Sequence, residues 1–284
     1  MTLKTLEINK SPFNYIGGKY KLLPQLFDFF PKKVDTFVDL FGGGGDVFIN
    51  IKANNIYAND INNYLIEIYE KFKSMSIEEL LDYIDSTIVE NNLSKENKDT
   101  FLAFREKYNN NKNPLDLYVL VCYSFNYQFR FNSRHDFNNT FGSNRSWFNP
   151  TIRDNLIKFH RSIQGIKFTS KDFRDFDYSV LKEKDFLYAD PPYLITTGSY
   201  NDGKRGFNGW AEKDDLDLFR ILDSLNERNV KFALSNVTEH NNLINENLIK
   251  WGSNYNVHEI ISNYSNSNYQ SKINHTKEVL ITNY

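Results

Sequence analysis

Hydrophobic residues in this chain occur in two kinds of stretch: short apolar runs of strand length, and longer segments with helical spacing. Near-continuous apolar runs are typical of strands buried on both faces of a mostly parallel sheet. We predict strands at residues 34–41, 56–58, 166–169, 186–189, 231–236, 257–261 and 278–282. Apolar spacings of three and four predict helices at residues 22–30, 77–89, 101–108, 115–125, 156–163 and 214–225. Strands that alternate with helices indicate an α/β fold.

The alternation stops between residues 62 and 148, where the pattern predicts helices without intervening strands. A chain of 284 residues has room for a catalytic core with a smaller inserted domain. No glycine-rich linker marks the ends of this insert, so we expect it to pack against the core.

Four glycines, residues 42–45, follow the first predicted strand and precede an apolar segment at 47–49 that we expect to form a helix face. Strand, glycine turn and helix let a backbone come close to a nucleoside cofactor. Asp60 follows the second strand, where an acid is placed to bind ribose hydroxyls. The spacing matches neither the dinucleotide fingerprint nor a phosphate-binding loop. The pattern predicts a ligand containing adenosine, with a purely structural turn as the alternative.

A second glycine turn, Gly17 and Gly18 followed by Lys19, leads into the first predicted helix, which Pro31 ends. Backbone amides at a helix start favour an anion, and Lys19 would add a fixed cation. A carboxylate is the smallest guest that fits this description. A plain connection from loop to helix is the alternative.

The stretch from Asp185 to Tyr193 combines a buried strand with a rigid polar end. Two prolines, Pro191 and Pro192, stop the strand directly after Asp190. Asp190 and the Pro191 carbonyl provide two acceptors for an amino group, and Tyr193 is placed to stack on a flat ring. This arrangement suits a planar heterocycle with an exocyclic amine that is drawn out of a stack. An ordinary strand-to-turn junction is the alternative.

The end of the insert, residues 125–138, interleaves aromatic rings, amides and arginines. Arginine reads guanine, asparagine and glutamine read adenine, and aromatic residues fill the space left by an extruded base. Residues 130–161 hold six basic and two acidic residues, although the net charge of the whole chain is −2. Such a segment is typical of a face that contacts phosphates, with a solvated surface as the alternative. Some of the aromatic residues are alternatively core residues.

Composition excludes several classes of site. The single cysteine, Cys122, rules out an internal disulfide, and the five histidines show no metal-ligand spacing, so we expect no metal. No stretch reaches the roughly 18 apolar residues of a membrane span, and residues 1–10 lack the apolar core of a signal peptide. We therefore expect no membrane association and a cytoplasmic protein.

Four motifs in order resemble the Dam-type DNA adenine-N6 methyltransferase family: residues 14–19, 37–44, 58–60 and 190–193. The resemblance implies a Rossmann-like mixed seven-stranded methyltransferase sheet, with an inserted, mainly helical target-recognition domain containing a β-hairpin. It divides the chain into a first catalytic part (1–61), the recognition insert (62–148) and a second catalytic part (149–284). It also implies S-adenosylmethionine as cofactor, S-adenosylhomocysteine as product and double-stranded DNA as partner.

Family positions carried over residue by residue define the expected site. The expected catalytic residues are Asp190, Pro191, Pro192 and Tyr193. The expected cofactor-binding residues are Tyr15, Gly17, Gly18, Lys19, Asp39, Phe41, Gly42, Gly43, Gly44, Asp60, Asp172, Phe173 and Asp190. In the family an acid at Asp172 accepts from the adenine amino group and Phe173 stacks on it; helix capping is the alternative role of Asp172.

The expected DNA-binding residues are Asn126, Gln128, Arg130, Asn132, Arg134, Asn138 and Arg145. In the family an arginine at the position of Arg130 reads a base, and the common target is GATC. Some members carry a basic residue that helps to read a base where this chain has Asn14. The resemblance therefore does not determine the DNA sequence that this chain recognises. Residues 195–210 are expected to form a lid or phosphate-contacting loop with Lys204 and Arg205.

The sequence thus predicts methyl transfer to adenine N6 in duplex DNA by a monomer. Methylation of RNA or of cytosine N4 is one alternative, since both present a similar amino edge. A DNA-binding protein that keeps the fold without turnover is another.

Overall fold

The computed structural model describes residues 8–196, 209–261 and 276–284. The helices are α1 (Leu23–Phe29), α2 (Asn63–Lys73), α3 (Ile77–Glu90), α4 (Lys98–Asn110), α5 (Pro114–Tyr123), α6 (Pro150–Ile163), α7 (Glu212–Glu227) and α8 (Glu246–Gly252). The strands are β1 (Thr36–Asp39), β2 (Asn55–Asn59), β3 (Ile166–Thr169), β4 (Phe186–Ala189), β5 (Lys231–His240), β6 (Leu243–Ile244), β7 (Asn256–Ile260) and β8 (Thr276–Thr282).

All strands join one sheet, whose main path runs β3-β2-β1-β4-β5-β8-β7. The first five strands of this path are parallel, whereas β8 is antiparallel to both β5 and β7. This order confirms the predicted mixed, mainly parallel sheet and all seven predicted strands. The short β6 pairs with β5 beside the main path and was not predicted.

Two hydrophobic layers cover the sheet. Side chains alternate along each strand, so neighbouring residues of β4 enter different layers: Phe186 and Tyr188 pack with α1 to α6, whereas Leu187 and Ala189 pack with α7 and α8. All four residues of β1 and of β4 are buried, as expected for central parallel strands. The larger layer is continuous from the sheet into the helices of the insert.

Two segments that follow glycine turns were expected to be helical: the first, α1, starts within one residue of its predicted position, whereas the second is not a regular helix. The apolar residues after the four glycines form only one 3₁₀ turn, Phe48–Asn50, rather than a helix. Helix α1 begins at Leu23, four residues after Lys19, with Pro24 in its first turn. Proline is tolerated in the first turn but would break a longer helix that began at the glycines. Lys19 therefore lies in a turn before the helix, and the anion site expected at the helix start stays a prediction.

The helices of the insert have strong local start signals. Ser76 and Glu79 form a reciprocal capping box at α3, and Asn113 caps α5 ahead of Pro114. Helix α2 was not predicted, and it packs against β3 and α6 as well as α5. The insert boundary at residue 62 therefore stays a prediction. No helix in the described ranges has both the length and the apolar character needed to span a membrane.

Candidate active site

The acids predicted for the site lie together because their strands are neighbours. Asp39 ends β1, and its sheet partners are Ala58 of β2 and Tyr188 of β4. Asp60 and Asp190 directly follow those two strands. The carboxyl ends of parallel strands share one edge of a sheet, which is where ligands bind in such folds. The structure thus brings all three predicted acids to one edge.

Asp190 is held by two groups from different parts of the chain. Lys19 Nζ lies 2.8 Å from Asp190 Oδ2, and the Tyr193 hydroxyl donates to Asp190 Oδ1 at 2.8 Å. Both groups also face Glu278 of β8, with Tyr193 donating at 3.2 Å and Lys19 Nζ at 3.8 Å from Oε1. The Asp190 side chain is 16% exposed. Its carboxylate is therefore fixed in direction yet accessible to a ligand.

Lys19 forms ion pairs with acidic residues of the protein itself. It is 6% exposed and also donates to the Gly17 carbonyl at 3.1 Å. Its ammonium lies 5.1 Å from the centre of the Tyr193 ring, which is within the range of a cation–π contact. Burial, followed by the charges of Asp190 and Glu278, raises the pKa of Tyr193 well above its usual value. The tyrosine therefore stays protonated and donates.

Asp60 holds the glycine turn in place through hydrogen bonds to backbone amides. Its Oδ2 accepts from the Gly43 amide at 2.9 Å and its Oδ1 from the Asn62 amide at 2.8 Å. The Tyr69 hydroxyl donates to the Gly43 carbonyl at 2.6 Å. Asp60 thus has a structural role that was not predicted, and its expected contact with a ribose hydroxyl stays a prediction.

The two glycine segments touch each other through Tyr15. A Cβ at Gly44 would lie 2.8 Å from Tyr15 Cβ, and Gly43 has φ +45°. Glycine is required here because the ring occupies the space of a side chain. Asp46 joins the same segments, accepting from the amides of Ser11 at 3.2 Å and Tyr20 at 3.3 Å.

Asp39 is a buried acid without a good partner. It is 1% exposed, and neither carboxylate oxygen has a hydrogen bond of good geometry within the described residues. Burial, then the charges of Asp190 and Asp60, raise its pKa well above the usual value. The backbone N–H groups of Phe48 and Phe41 offset part of this rise. A buried acid in this state favours its neutral, protonated form.

Asp172 and Phe173 form part of a different cluster. Asp172 Oδ1 accepts from the Arg174 amide and from its guanidinium, both at 3.0 Å, so the capping alternative is present. Phe173 is 2% exposed, between the Arg174 guanidinium at 4.3 Å and the Trp210 ring at 5.4 Å. An adenine can reach Phe173 only if one neighbour moves. The expected adenine contacts stay predictions.

The recognition segment is a hairpin with two isolated antiparallel bridges, Ser124 with Phe141 and Phe131 with Phe137. Phe131 and Phe137 are buried, as is Phe129, so the core alternative applies to them, whereas Phe125 is 46% exposed. The predicted DNA-binding side chains are exposed or partly exposed: Asn126, Gln128, Arg130, Asn132, Arg134, Asn138 and Arg145. Asn132 also closes the hairpin turn, accepting from the amides of Arg134 and Asp136 at 2.9 Å.

Basic residues of the positive segment divide between the hairpin and α6. In α6, Arg153 pairs with Asp85 and Lys158 with Asp154, which reduces their contribution to a positive face. Arg130, Arg134 and Arg145 lie on the hairpin side and are exposed. The hairpin also touches the cofactor segment, because Asn14 donates to the Asn126 carbonyl at 2.8 Å. The hairpin is therefore the described part best suited to contact DNA.

Sequence reasoning missed Glu278, Asp46 and Asn62. Glu278 belongs to an apolar strand, and its position two residues before Leu280 could have shown that both share a buried face. Asp46 follows the four glycines directly, but its partners Ser11 and Tyr20 are distant in sequence. Lys204 and Arg205 lie outside the described residues. Within the described residues, no group of three or more His, Cys, Asp or Glu is arranged to hold a metal.

The sequence of this chain matches one protein-family model and several known proteins. The model of the D12 class N6 adenine-specific DNA methyltransferase family matches residues 15–272. The type II methyltransferase M.FokI of Planomicrobium okeanokoites is 50% identical over 99% of this chain and 44% of its own length. The modification methylase StsI of Streptococcus sanguinis is 51% identical over 97% and 43%. The DNA adenine methylase of Escherichia coli K12 is 27% identical over 80% and 81%. This chain thus spans less than half the length of the first two relatives.

Proposed function

Because the chain belongs to the D12 class N6 adenine-specific DNA methyltransferase family, we propose that it transfers a methyl group to adenine N6 at specific sites in duplex DNA. The observation that carries the proposal is the Asp190 carboxylate, held by Lys19 and Tyr193 at the sheet edge where Asp39 and Asp60 also lie. Membership of the family also confirms S-adenosylmethionine as the expected cofactor.

The residues present fit this cofactor. When bound, S-adenosylmethionine supplies an electrophilic methyl group on a sulfonium cation. Four acids, Asp39, Asp60, Asp190 and Glu278, lie at or next to this edge with Lys19 as the cation among them. Even without a charge on Asp39, the acids Asp60, Asp190 and Glu278 outnumber Lys19, which favours a cationic guest. Asp60 would take the ribose hydroxyls, and the Tyr15–Gly43 contact would border the cofactor.

Asp190 would accept a hydrogen bond from the amino group of the target base, and the Pro191 carbonyl a second. These bonds favour a pyramidal nitrogen. Its lone pair is then less delocalised into the ring and can point at the methyl group. Lys19 and Tyr193 hold the carboxylate so that little reorganisation is needed when the base arrives. Alignment of a near-attack pair can contribute on the order of 7 kcal/mol. Asp190 acts mainly as a positioning acceptor, because the nitrogen becomes strongly acidic once methylated.

The target base must leave the duplex to reach Asp190, which costs roughly a few kcal/mol. Tyr193 would stack on the extruded base on the ring face opposite Lys19. The exposed hairpin side chains would contact the DNA, with Arg130 reading a base edge and the exposed Phe125 ring available to fill vacated space. Because its DNA substrate lies in the cytoplasm of a bacterial cell, we expect the protein to be cytoplasmic. We also expect it to act as a monomer.

The recognition sequence stays a prediction. GATC is the common target expected from the Dam-type resemblance. M.FokI and the modification methylase StsI, at 50% and 51% identity, are more similar to this chain than the DNA adenine methylase at 27%. This ranking favours a modification enzyme with a site of its own, so methylated positions need to be mapped without assuming GATC.

The test combines labelled S-adenosylmethionine, plasmid DNA and mapping of modified bases. We expect the wild-type chain to label adenine in DNA. Asp190→Ala should abolish transfer while DNA and cofactor binding persist, and Asp28→Asn, an exposed acid on α1, should behave as wild type. Label on cytosine or RNA would support the two enzymatic alternatives. Binding without label in the wild-type chain would support a non-catalytic DNA-binding protein.

A further inference from the structure

Glu278 is a buried acid that lies beyond the residues matched by the family model, which end at residue 272. It is 1% exposed and belongs to β8, where it pairs with Val237 of β5 and Ile260 of β7. Alternation along the strand puts it on the same face as Leu280, in the layer that contains α1. The chain therefore directs this carboxylate towards the turn that carries Lys19.

Glu278 shares both partners of Asp190. Its Oε1 accepts from the Tyr193 hydroxyl at 3.2 Å and lies 3.8 Å from Lys19 Nζ. The corresponding distances to Asp190 are 2.8 Å for each partner. The four side chains form a closed arrangement of two carboxylates, one hydroxyl and one ammonium.

We propose that Glu278 is a positioning residue that holds Lys19 and Tyr193, and through them fixes the Asp190 carboxylate for the amino group of the target base. The inference rests on the proposed function and adds a residue to it. Glu278 does not contact the reacting atoms; it acts through its two neighbours.

The single proton of the Tyr193 hydroxyl explains why a second acceptor is useful. The hydroxyl donates to Asp190 Oδ1 or to Glu278 Oε1, but not fully to both. When an amino group approaches Asp190, the hydroxyl can turn to Glu278 and no buried polar group loses its partner. Asp190 then has a lone pair available at little cost. A structural role alone would be met equally well by an apolar residue, because burying a carboxylate is expensive.

Steady-state kinetics of Glu278→Gln tests this role, with Glu259→Gln of the neighbouring strand β7 as an exposed control. We expect kcat to fall by up to about 100-fold in Glu278→Gln, while KM for DNA and equilibrium binding of S-adenosylhomocysteine stay close to wild type. Glu259→Gln should match the wild-type chain. Unchanged kcat in Glu278→Gln would overturn the proposal.

Glu278→Asp provides a second variant that keeps the charge but shortens the side chain by one methylene group. Positioning requires reach, so kcat should fall here as well, and wild-type turnover in this variant would contradict the proposal. Rates are measured well below the thermal midpoint of each variant, so that loss of fold is not scored as loss of turnover.

A double-mutant cycle with Tyr193→Phe tests the pathway through the hydroxyl. Without that hydroxyl, removing the Glu278 charge should cost less than it does in the wild-type background. Equal losses in both backgrounds would overturn the link through Tyr193. If the wild-type chain transfers no methyl group to DNA, the proposed function itself fails. Transfer by the wild-type chain with unaffected Glu278 variants would refute only the positioning role.

Discussion

The Asp39 carboxyl lies at the centre of the sheet edge without a hydrogen bond of good geometry within the described residues, and its ionised form is therefore costly. Its folded-state pKa is raised by burial and by Asp190 and Asp60. Between about pH 4, the unfolded value, and that raised pKa, the folded chain holds a proton that the unfolded chain has released. The free energy of unfolding contributed by Asp39 therefore falls as pH rises through this window.

Asp39→Asn should remove this pH dependence, because the amide does not titrate. Above the raised pKa of Asp39, we expect the variant to be more stable than the wild-type chain by on the order of 1 kcal/mol. Above that pKa it should also bind S-adenosylmethionine more weakly, since the variant lacks the negative charge that Asp39 then carries near the cation. Urea unfolding at several pH values and calorimetric titration of the cofactor measure both effects. Identical pH slopes for the two proteins would contradict the assignment.

At this scale, the sequence predicts side chains whose position relative to a strand end defines their role. Asp190 and Asp60 follow apolar strands, and the structure places both at the sheet edge. Glu278 depends on Lys19 and Tyr193, which lie in other parts of the chain, so local pattern cannot reveal the contact. The capping role of Asp172 was predictable as one of two alternatives because it uses the next residues, Arg174 above all.

Among the elements, the hairpin shows how the recognition segment is held in place. It has two isolated bridges instead of a continuous ladder, so side chains of α4 supply part of its support. Asn109 accepts from the Phe137 amide at 2.8 Å and donates to the Phe137 carbonyl at 3.0 Å. Lys112 donates to the His135 carbonyl at 3.0 Å.

Asn109→Ala should loosen the hairpin and weaken DNA binding. Two hydrogen bonds worth about 0.5–1.5 kcal/mol each are lost, while the cofactor residues at the sheet edge are untouched. We expect lower affinity for DNA with unchanged affinity for S-adenosylhomocysteine. The adjacent, exposed Asn110→Ala provides the matched control. Equal losses of cofactor affinity and DNA affinity in Asn109→Ala would argue against a separate role of the hairpin.

Elements with clear local signals were predictable, and the exceptions have identifiable causes. The strands at 166–169 and 186–189 match β3 and β4 residue for residue, because both are short apolar runs with abrupt ends. Helix α2 has buried residues at helical spacing, including Leu65, Tyr69 and Phe72, but it lies where the sheet pattern was expected to break. The segment after the glycines is a single 3₁₀ turn, and Gly45 directly before it has φ +91°, which is outside the right-handed helical region.

For the whole molecule, the net charge of −2 gives no general attraction to DNA. The acids gather at the sheet edge, whereas Arg130, Arg134 and Arg145 are exposed near the hairpin. Binding should therefore depend on this one face, and each phosphate contact should contribute to the salt dependence of the affinity.

Arg145→Ala should reduce the slope of log affinity against log salt by about one if this side chain contacts a phosphate. The affinity should fall similarly for all sequences, because a phosphate contact carries no base information. Arg220→Ala, on the exposed side of α7, is the matched control, with an arginine side chain that is 71% exposed. Fluorescence anisotropy with a short duplex at several salt concentrations gives both slopes. An equal change in the two variants would mean that DNA affinity depends on the total charge of the molecule. That result would contradict the proposal that the hairpin is the face that contacts DNA.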